Sequence, residues 1–177
     1  MQDAEWRVAP SEITYAKDDI TVSHFAIEHG QQHINIDGRA SKSPADSITV
    51  DLKDVDVEYV LDLVNFHSVD FGGLASGTAS VRSLFDKPQA KAHLTVKEFK
   101  FEGGNMGVLD VTAAWDNEKK TIDLNGIAND GPSAMTLVNG YIAPSSPGYI
   151  DLDIQGIGTH IVSHHQRIHH IIKLLKS

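Results

Sequence analysis

The chain has 177 residues, a formal net charge of −9 and no cysteine. This length accommodates one domain, or two small repeats that share an apolar interior, and the 41% hydrophobic content is ordinary for a globular protein. An acidic chain without a basic patch does not favour nucleic acid as a partner, and the lack of cysteine excludes disulfides and thiolate metal sites. The sequence has no run of about 18 apolar residues, the length that a membrane-spanning helix needs.

An eleven-residue strand pattern occurs twice in the chain, 74 positions apart. Residues 20–30 and 94–104 share five identical positions, and both copies alternate apolar and polar residues before they end in glycine. A repeat of this kind, without a catalytic residue that recurs with it, favours a surface or groove over an active site. We predict one β-sheet domain at 11–158, with two related units at about 18–90 and 91–158, and a separate tail at 159–177.

Both copies change the phase of their alternation near the middle. Val22 and Phe25 are both apolar although a regular strand would place them on opposite faces, and Val96 and Phe99 repeat this spacing. A β-bulge, which is one extra residue in a strand, would return the later residue of each pair to the apolar face and would bend the sheet. The sequence therefore predicts bulges near residues 23–24 and near 97–98.

Most of the remaining chain also alternates with period two, at 34–38, 48–52, 122–126 and 150–154. Segments rich in turn-forming residues separate these strands, which is typical of an antiparallel meander. One segment differs, because residues 56–65 place apolar side chains at helical spacing. There we predict a short amphipathic helix that covers one end of the sheet.

The last eighteen residues, 160–177, differ from the rest in composition. They contain five of the ten histidines and no acidic residue, and their isoleucines and leucines recur at helical spacing, so we predict a basic amphipathic helix. Such a helix would bring several imidazoles together, but no glutamate or cysteine accompanies them as in functional zinc sites. We expect no functional metal site here and only weak, adventitious metal affinity at His164, His165, His169 and His170.

The sequence contains no catalytic constellation. Aspartates spaced by two, such as Asp54 and Asp56 or Asp151 and Asp153, are typical of the solvated face of a strand. No serine lies in a nucleophile elbow, and no calcium-loop pattern occurs. We therefore expect a protein that is not an enzyme and that needs no cofactor.

The order of the elements resembles the periplasmic TamB and AsmA-like proteins. The resemblance begins with strands at 19–27, 34–38 and 48–57 followed by a short helix, and it continues through Leu74–Arg82 and Pro88–Leu94. It extends over about residues 11–160 and includes the strand end at 115–117 and the alternation at 122–126. The histidine-rich tail departs from the family pattern.

This resemblance implies a specific role and location. TamB-like proteins are anchored in the inner membrane and cross the periplasm as a long curved sheet with an apolar inner groove. They serve outer-membrane assembly, either by phospholipid transfer or by handling outer-membrane protein strands together with a TamA-type outer-membrane barrel. The chain would then be an internal stretch of that groove, held in the periplasm by an anchor segment that this sequence does not include.

The fold expected from these observations is all-β, a curved and bulged antiparallel meander that forms a half-open groove, taco-like or roll-like, with the short helix near 56–65 and a C-terminal helix. The alternative is a closed β-sandwich or roll that acts as a ligand-binding or structural module. A sugar-binding module is a weaker third reading, because aromatic residues make up only 7% of the chain. The apolar groove or core face is predicted to consist of Ile20, Val22, Phe25, Ile27, Ile48, Val50, Leu94, Val96, Phe99, Phe101, Ile122, Leu124, Leu137, Ile150, Leu152 and Ile154.

Overall fold

The computed structural model describes residues 6–59, 70–130, 134–143, 148–158 and 165–172. These residues form twelve β-strands in a single sheet, in which every pair of neighbouring strands is antiparallel. The strands are β1 (Arg7–Val8), β2 (Glu12–Ala16), β3 (Asp19–His29), β4 (Gln32–Ala40), β5 (Ser47–Asp56), β6 (Phe71–Arg82), β7 (Gln89–Phe101), β8 (Gly104–Asp116), β9 (Thr121–Asn129), β10 (Ala134–Ala143), β11 (Gly148–Gly158) and β12 (His165–Ile172).

The strands follow one another in chain order from β3 to β12, so each pairs with its neighbours in sequence. Both β1 and β2 pair with β3, β1 near its end and β2 near its start, and together they form one edge of the sheet. Strand β12 forms the other edge and pairs with β11, and the sheet is not closed into a barrel. The predicted all-β antiparallel meander is confirmed.

Both predicted bulges are present. The pairing of β3 with β4 shifts register between Val22 and Phe25, and the pairing of β7 with β8 shifts between Val96 and Phe99. In the first bulge two residues of β3 lie opposite one residue of β4, so Phe25 returns to the face that Val22 occupies. The extra residues include His24 and Glu98, whose φ angles of 54° and 52° lie in the left-handed region.

A third bulge in β5 was not predicted from the sequence. The pairing of β5 with β6 shifts register between Leu52 and Val55, and Asp54 within it has a φ angle of 47°. Leu52 and Val55 are three residues apart, the same spacing that marks the two predicted bulges. The three-residue spacing of these apolar residues would therefore have predicted the bulge in β5, although β5 does not belong to the repeated eleven-residue pattern.

Strand β6 accommodates the bulge of β7 with a glycine. The register of β6 against β7 shifts between Gly72 and Leu74, which leaves Gly73 opposite the irregular part of β7. Gly73 has a φ angle of 127°, and a Cβ atom at this position would lie 2.7 Å from the carbonyl oxygen of Lys97. Only glycine fits this close approach without a shift of the backbone.

The apolar interior lies along one face of the sheet. Among the described residues, every strand belongs to this one sheet, so no second sheet covers this face and a sandwich of two sheets is not observed. Side chains of adjacent strands bury one another, and Val57, at the beginning of the short helix, packs against them. The residues of this buried cluster are Ala75, Val96, Phe99, Leu109, Ala128, Val138 and Ile154.

The short helix is observed only in part. Residues 57–59 are helical, and the rest of the predicted 56–65 helix lies outside the described residues. Near its start, the ring of Tyr59 contacts that of Trp6 edge-on at a centroid distance of 5.8 Å, and Trp6 also contacts His29. This contact and the packing of Val57 place the beginning of the helix against the end of the sheet where β3 ends.

The predicted C-terminal helix is wrong over residues 165–172, which form strand β12. The segment contains three isoleucines, which favour strands, and the edge of β11 offers a row of backbone hydrogen-bonding groups that a helix would leave unpaired. Consequently the backbones of His165 and His169 lie about 13 Å apart along the strand, and the one-turn spacing that a helix would give this pair is absent. His164 lies outside the described residues, and His170 follows His169 in β12.

We expect the left-handed conformation of Glu98 to reverse the usual preference of a strand for β-branched residues. Replacement of Glu98 by valine should lower the free energy of unfolding by about 1 kcal/mol relative to replacement by glycine, because only glycine adopts this φ angle without strain. Urea denaturation measures the difference. At Lys91, in the part of β7 that pairs without a register shift, valine should instead equal or exceed glycine; the same order at both positions would contradict the bulge.

Candidate functional site

The register of the strands places all but one of the predicted apolar residues on one continuous face, which we call the apolar face. Partners in register lie side by side on the same face, and residues two apart along a strand return to it. One row runs from Val50 through Ala79, Ala92 and Ala113 to Leu124 across five strands. The predicted residues on this face are Ile20, Val22, Phe25, Ile27, Ile48, Val50, Leu94, Val96, Phe99, Phe101, Ile122, Leu124, Leu152 and Ile154, and Ile150 pairs in register with Ile142.

Leu137 does not belong to the apolar face, so its assignment was wrong. It pairs in register with Ile127, which is 45% exposed on the opposite face. The neighbouring Val138 takes the place on the apolar face, where it is buried beside Gly126 and Ile154. The sequence obscured this assignment because Val138 is followed two positions later by Gly140, which interrupts the apolar alternation.

The two ends of the apolar face differ in how well they are filled. At the bulged end, the ring of Phe71 contacts those of Phe99 and Phe101 at centroid distances of 6.2 and 5.6 Å. Phe99 is only 4% exposed, so it belongs to the structural core rather than to a surface that a ligand reaches. Sequence reasoning placed this residue on the right face, but only the structure shows that it is covered.

At the other end, small residues leave the apolar face unfilled. Ala79, Ala92 and Ala113 are adjacent on β6, β7 and β8, and they form the floor of a cavity of about 360 Å³ that we call the alanine pocket. Sequence reasoning missed these alanines because it searched for large apolar residues. The pocket is lined by Ile48, Val50, Ala79, Ser80, Val81, Ala90, Lys91, Ala92, Ala113, Ala114, Trp115 and Ile122.

The opposite face, which we call the polar face, carries pairs of basic and acidic side chains that connect different strands. His93 Nε2 lies 3.0 Å from Asp110 Oδ1, and Lys97 Nζ lies 3.2 Å from Asp54 Oδ1. A similar pair joins His33 and Asp51, so several carboxylates lie beside a basic side chain rather than beside a second acid. Asp151, expected on the solvated face, is only 7% exposed.

Asp54 connects the bulges of β5 and β7. Its backbone N–H donates a hydrogen bond to the Ser76 hydroxyl at 2.8 Å, and its carboxylate accepts hydrogen bonds from Lys97 and Ser76. The hydrogen bond from Lys97 lowers the pKa of Asp54 below its ordinary value; the lysine charge and the Ser76 hydroxyl lower it further, against the opposing effect of desolvation. These contacts indicate a structural role for Asp54.

We expect Lys97→Met to raise the pKa of Asp54 towards its ordinary value. Because the folded-state pKa is lowered, this pair stabilises the folded protein above the unfolded pKa of aspartate, and its contribution is lost as the pH falls through the folded pKa. Titration of the carboxylate by NMR measures the change. Lys100→Met, on the same strand, serves as the control, and an unchanged pKa in Lys97→Met would contradict the assigned contact.

Fold and site together define a class: a single open antiparallel sheet with one apolar face and one charged face. No family model, curated protein or solved structure was found to match the chain. Within the described ranges, no helix has the length and apolar character needed to cross a membrane. In the same ranges, no group of three or more metal-ligating side chains is close enough together to hold an ion.

Proposed function

We propose that this protein is a non-enzymatic, TamB-like segment whose apolar face holds the acyl chains of phospholipids during outer-membrane assembly. The observation that carries the proposal is the alanine pocket, an unfilled part of a continuous apolar face that no second sheet covers among the described residues. Hydrocarbon is held by buried area, at roughly 25 cal/mol per Å², and not by particular polar groups. Such a surface needs neither a catalytic residue nor a cofactor.

The chemistry of the pocket favours an alkyl chain over a polypeptide as its occupant. The side chains of its floor and walls are almost all aliphatic or aromatic, and they offer few partners to a backbone. A protein strand laid on this face would leave its N–H and C=O groups without hydrogen bonds, which costs free energy for every buried group. An alkyl chain carries no such groups.

Outer-membrane protein strands are a second candidate cargo, and the open edge of the sheet favours them. Within the part of the chain that the structure describes, strand β2 pairs with β3 alone, and all five of its residues are exposed, including Ile13 at 59% and Tyr15 at 75%. An incoming strand satisfies its backbone by pairing with such an edge. The two cargoes would therefore occupy different parts of the protein, lipid on the face and strands at the edge.

The cellular setting of the proposal rests on the TamB and AsmA-like resemblance. In that setting the chain lies in the periplasm, it belongs to a protein that is anchored in the inner membrane, and a TamA-type outer-membrane barrel is the partner of that protein. The internal repeat and the single, bulged sheet support this setting, because a sheet that pairs in chain order extends by adding further strands. A curved groove is part of this proposal.

The lipid proposal predicts that filling the alanine pocket weakens lipid capture without unfolding the protein. Ala113→Leu should reduce crosslinking to a photo-crosslinkable phospholipid about tenfold, because the new side chain occupies the space of the alkyl chain. Thr112→Leu introduces the same side chain at the next residue, which is exposed on the polar face, and should leave crosslinking unchanged. Circular dichroism establishes that both variants are folded.

Equal crosslinking of Ala113→Leu and the unsubstituted protein would overturn the assignment of the pocket. A photo-crosslinking residue at Thr14, exposed on β2, tests the second cargo. If an unfolded outer-membrane protein is captured at Thr14 and no lipid is crosslinked at any position, the cargo is an outer-membrane protein strand and not a phospholipid.

A further inference from the structure

One wall of the alanine pocket is a tryptophan whose orientation is fixed by hydrogen bonds. The indole Nε1–H of Trp115 donates to Asn117 Oδ1 at 3.2 Å, and Asn117 Nδ2 in turn donates to the carbonyl oxygen of Pro88 at 2.8 Å. Pro88 precedes β7, and Asn117 follows β8. The two hydrogen bonds therefore connect the loops on both sides of the β7–β8 hairpin and hold the ring against the pocket.

Trp115 is also the largest side chain that borders the pocket. The floor of the pocket consists of alanines. Two residues along the same strands, towards Phe99, the larger side chains of Leu94 and Val111 lie next to each other and separate the pocket from the core. The volume of about 360 Å³ lies near the lower limit of the range of about 300–1,000 Å³ that is typical of small-molecule sites. The indole therefore forms the wall at this end of the pocket, where it is the bulkiest group that a ligand would meet.

We propose that Trp115 is the specificity-determining residue of the alanine pocket, and that it restricts the site to one unbranched alkyl chain. Asn117 is its positioning residue, because it contacts the indole and the Pro88 carbonyl but does not line the pocket. The inference rests on the proposed function, and it narrows the ligand from a phospholipid in general to a single chain inserted along the alanine floor. The second chain of a phospholipid remains outside this pocket.

Tryptophan fluorescence tests whether the chain contacts Trp115. The protein has two tryptophans, so Trp6→Phe leaves Trp115 as the only one, and Trp115→Phe leaves Trp6 at the opposite end of the sheet. A dibrominated stearate, whose bromines quench indole fluorescence on contact, should quench emission at least twofold in Trp6→Phe at saturation. The matched variant Trp115→Phe should show little quenching.

Specificity is tested by comparing a single-chain with a two-chain ligand. Trp115→Ala should widen the pocket, so that the preference for a lysophospholipid over a diacyl phospholipid of the same headgroup falls about tenfold. Asn117→Ala should lower this preference in the same direction, whereas Asn117→Asp, which keeps the oxygen that accepts from Trp115, should restore much of it. Asn125→Ala, an exposed amide on β9, serves as the control.

The ratio of the two affinities separates specificity from stability, because a variant that is partly unfolded loses both ligands equally. An unchanged ratio in Trp115→Ala, or quenching of Trp6 in place of Trp115, would overturn the role of Trp115 while the lipid proposal stands. If the unsubstituted protein binds neither the stearate nor the lysophospholipid, the lipid proposal itself fails and this inference fails with it.

Discussion

The structure depends on keeping the apolar side chains of long strands on one face. Side chains alternate with a period of two, so a three-residue spacing between apolar residues would send half of a strand's apolar side chains into solvent. Bulges in β3, β5 and β7 correct the phase, with His24, Asp54 and Glu98 in the left-handed conformation. The strain energy of each such residue is small compared with the free energy that is gained when the corrected strand buries its apolar side chains.

The polar face and the bulges stabilise each other. Asp54 lies in the bulge of β5 and Lys97 in the bulge of β7, and their ion pair spans strand β6, to which the Ser76 hydroxyl also connects Asp54. Each exposed ion pair contributes little to the free energy of unfolding. We therefore infer that these contacts mainly align the two bulges and add little to the stability of the fold. The stability comes from the apolar face, where neighbouring strands bury one another's side chains.

The apolar face combines two environments with different uses. Aromatic rings and the beginning of the helix fill one end, which gives the open sheet a core of its own, and alanines leave the other end empty. A sheet that lacked the first environment would have little to hold it together, and one that lacked the second would have no room for a ligand. The proposed binding of alkyl chains uses this division, because the ligand would occupy space that the core does not need.

The sequence by itself determined the strands, the two bulges of the repeat and the face on which most apolar residues lie, since all three follow from the period of side-chain alternation. Only the tertiary structure decided which of these residues are covered. Phe99 is buried by Phe71, which is distant in sequence, and the pocket beside Trp115 exists because alanines of three strands come into register. The strand at 165–172 was decided in the same way, because its conformation depends on the edge of β11, a contact that local helical spacing does not reveal.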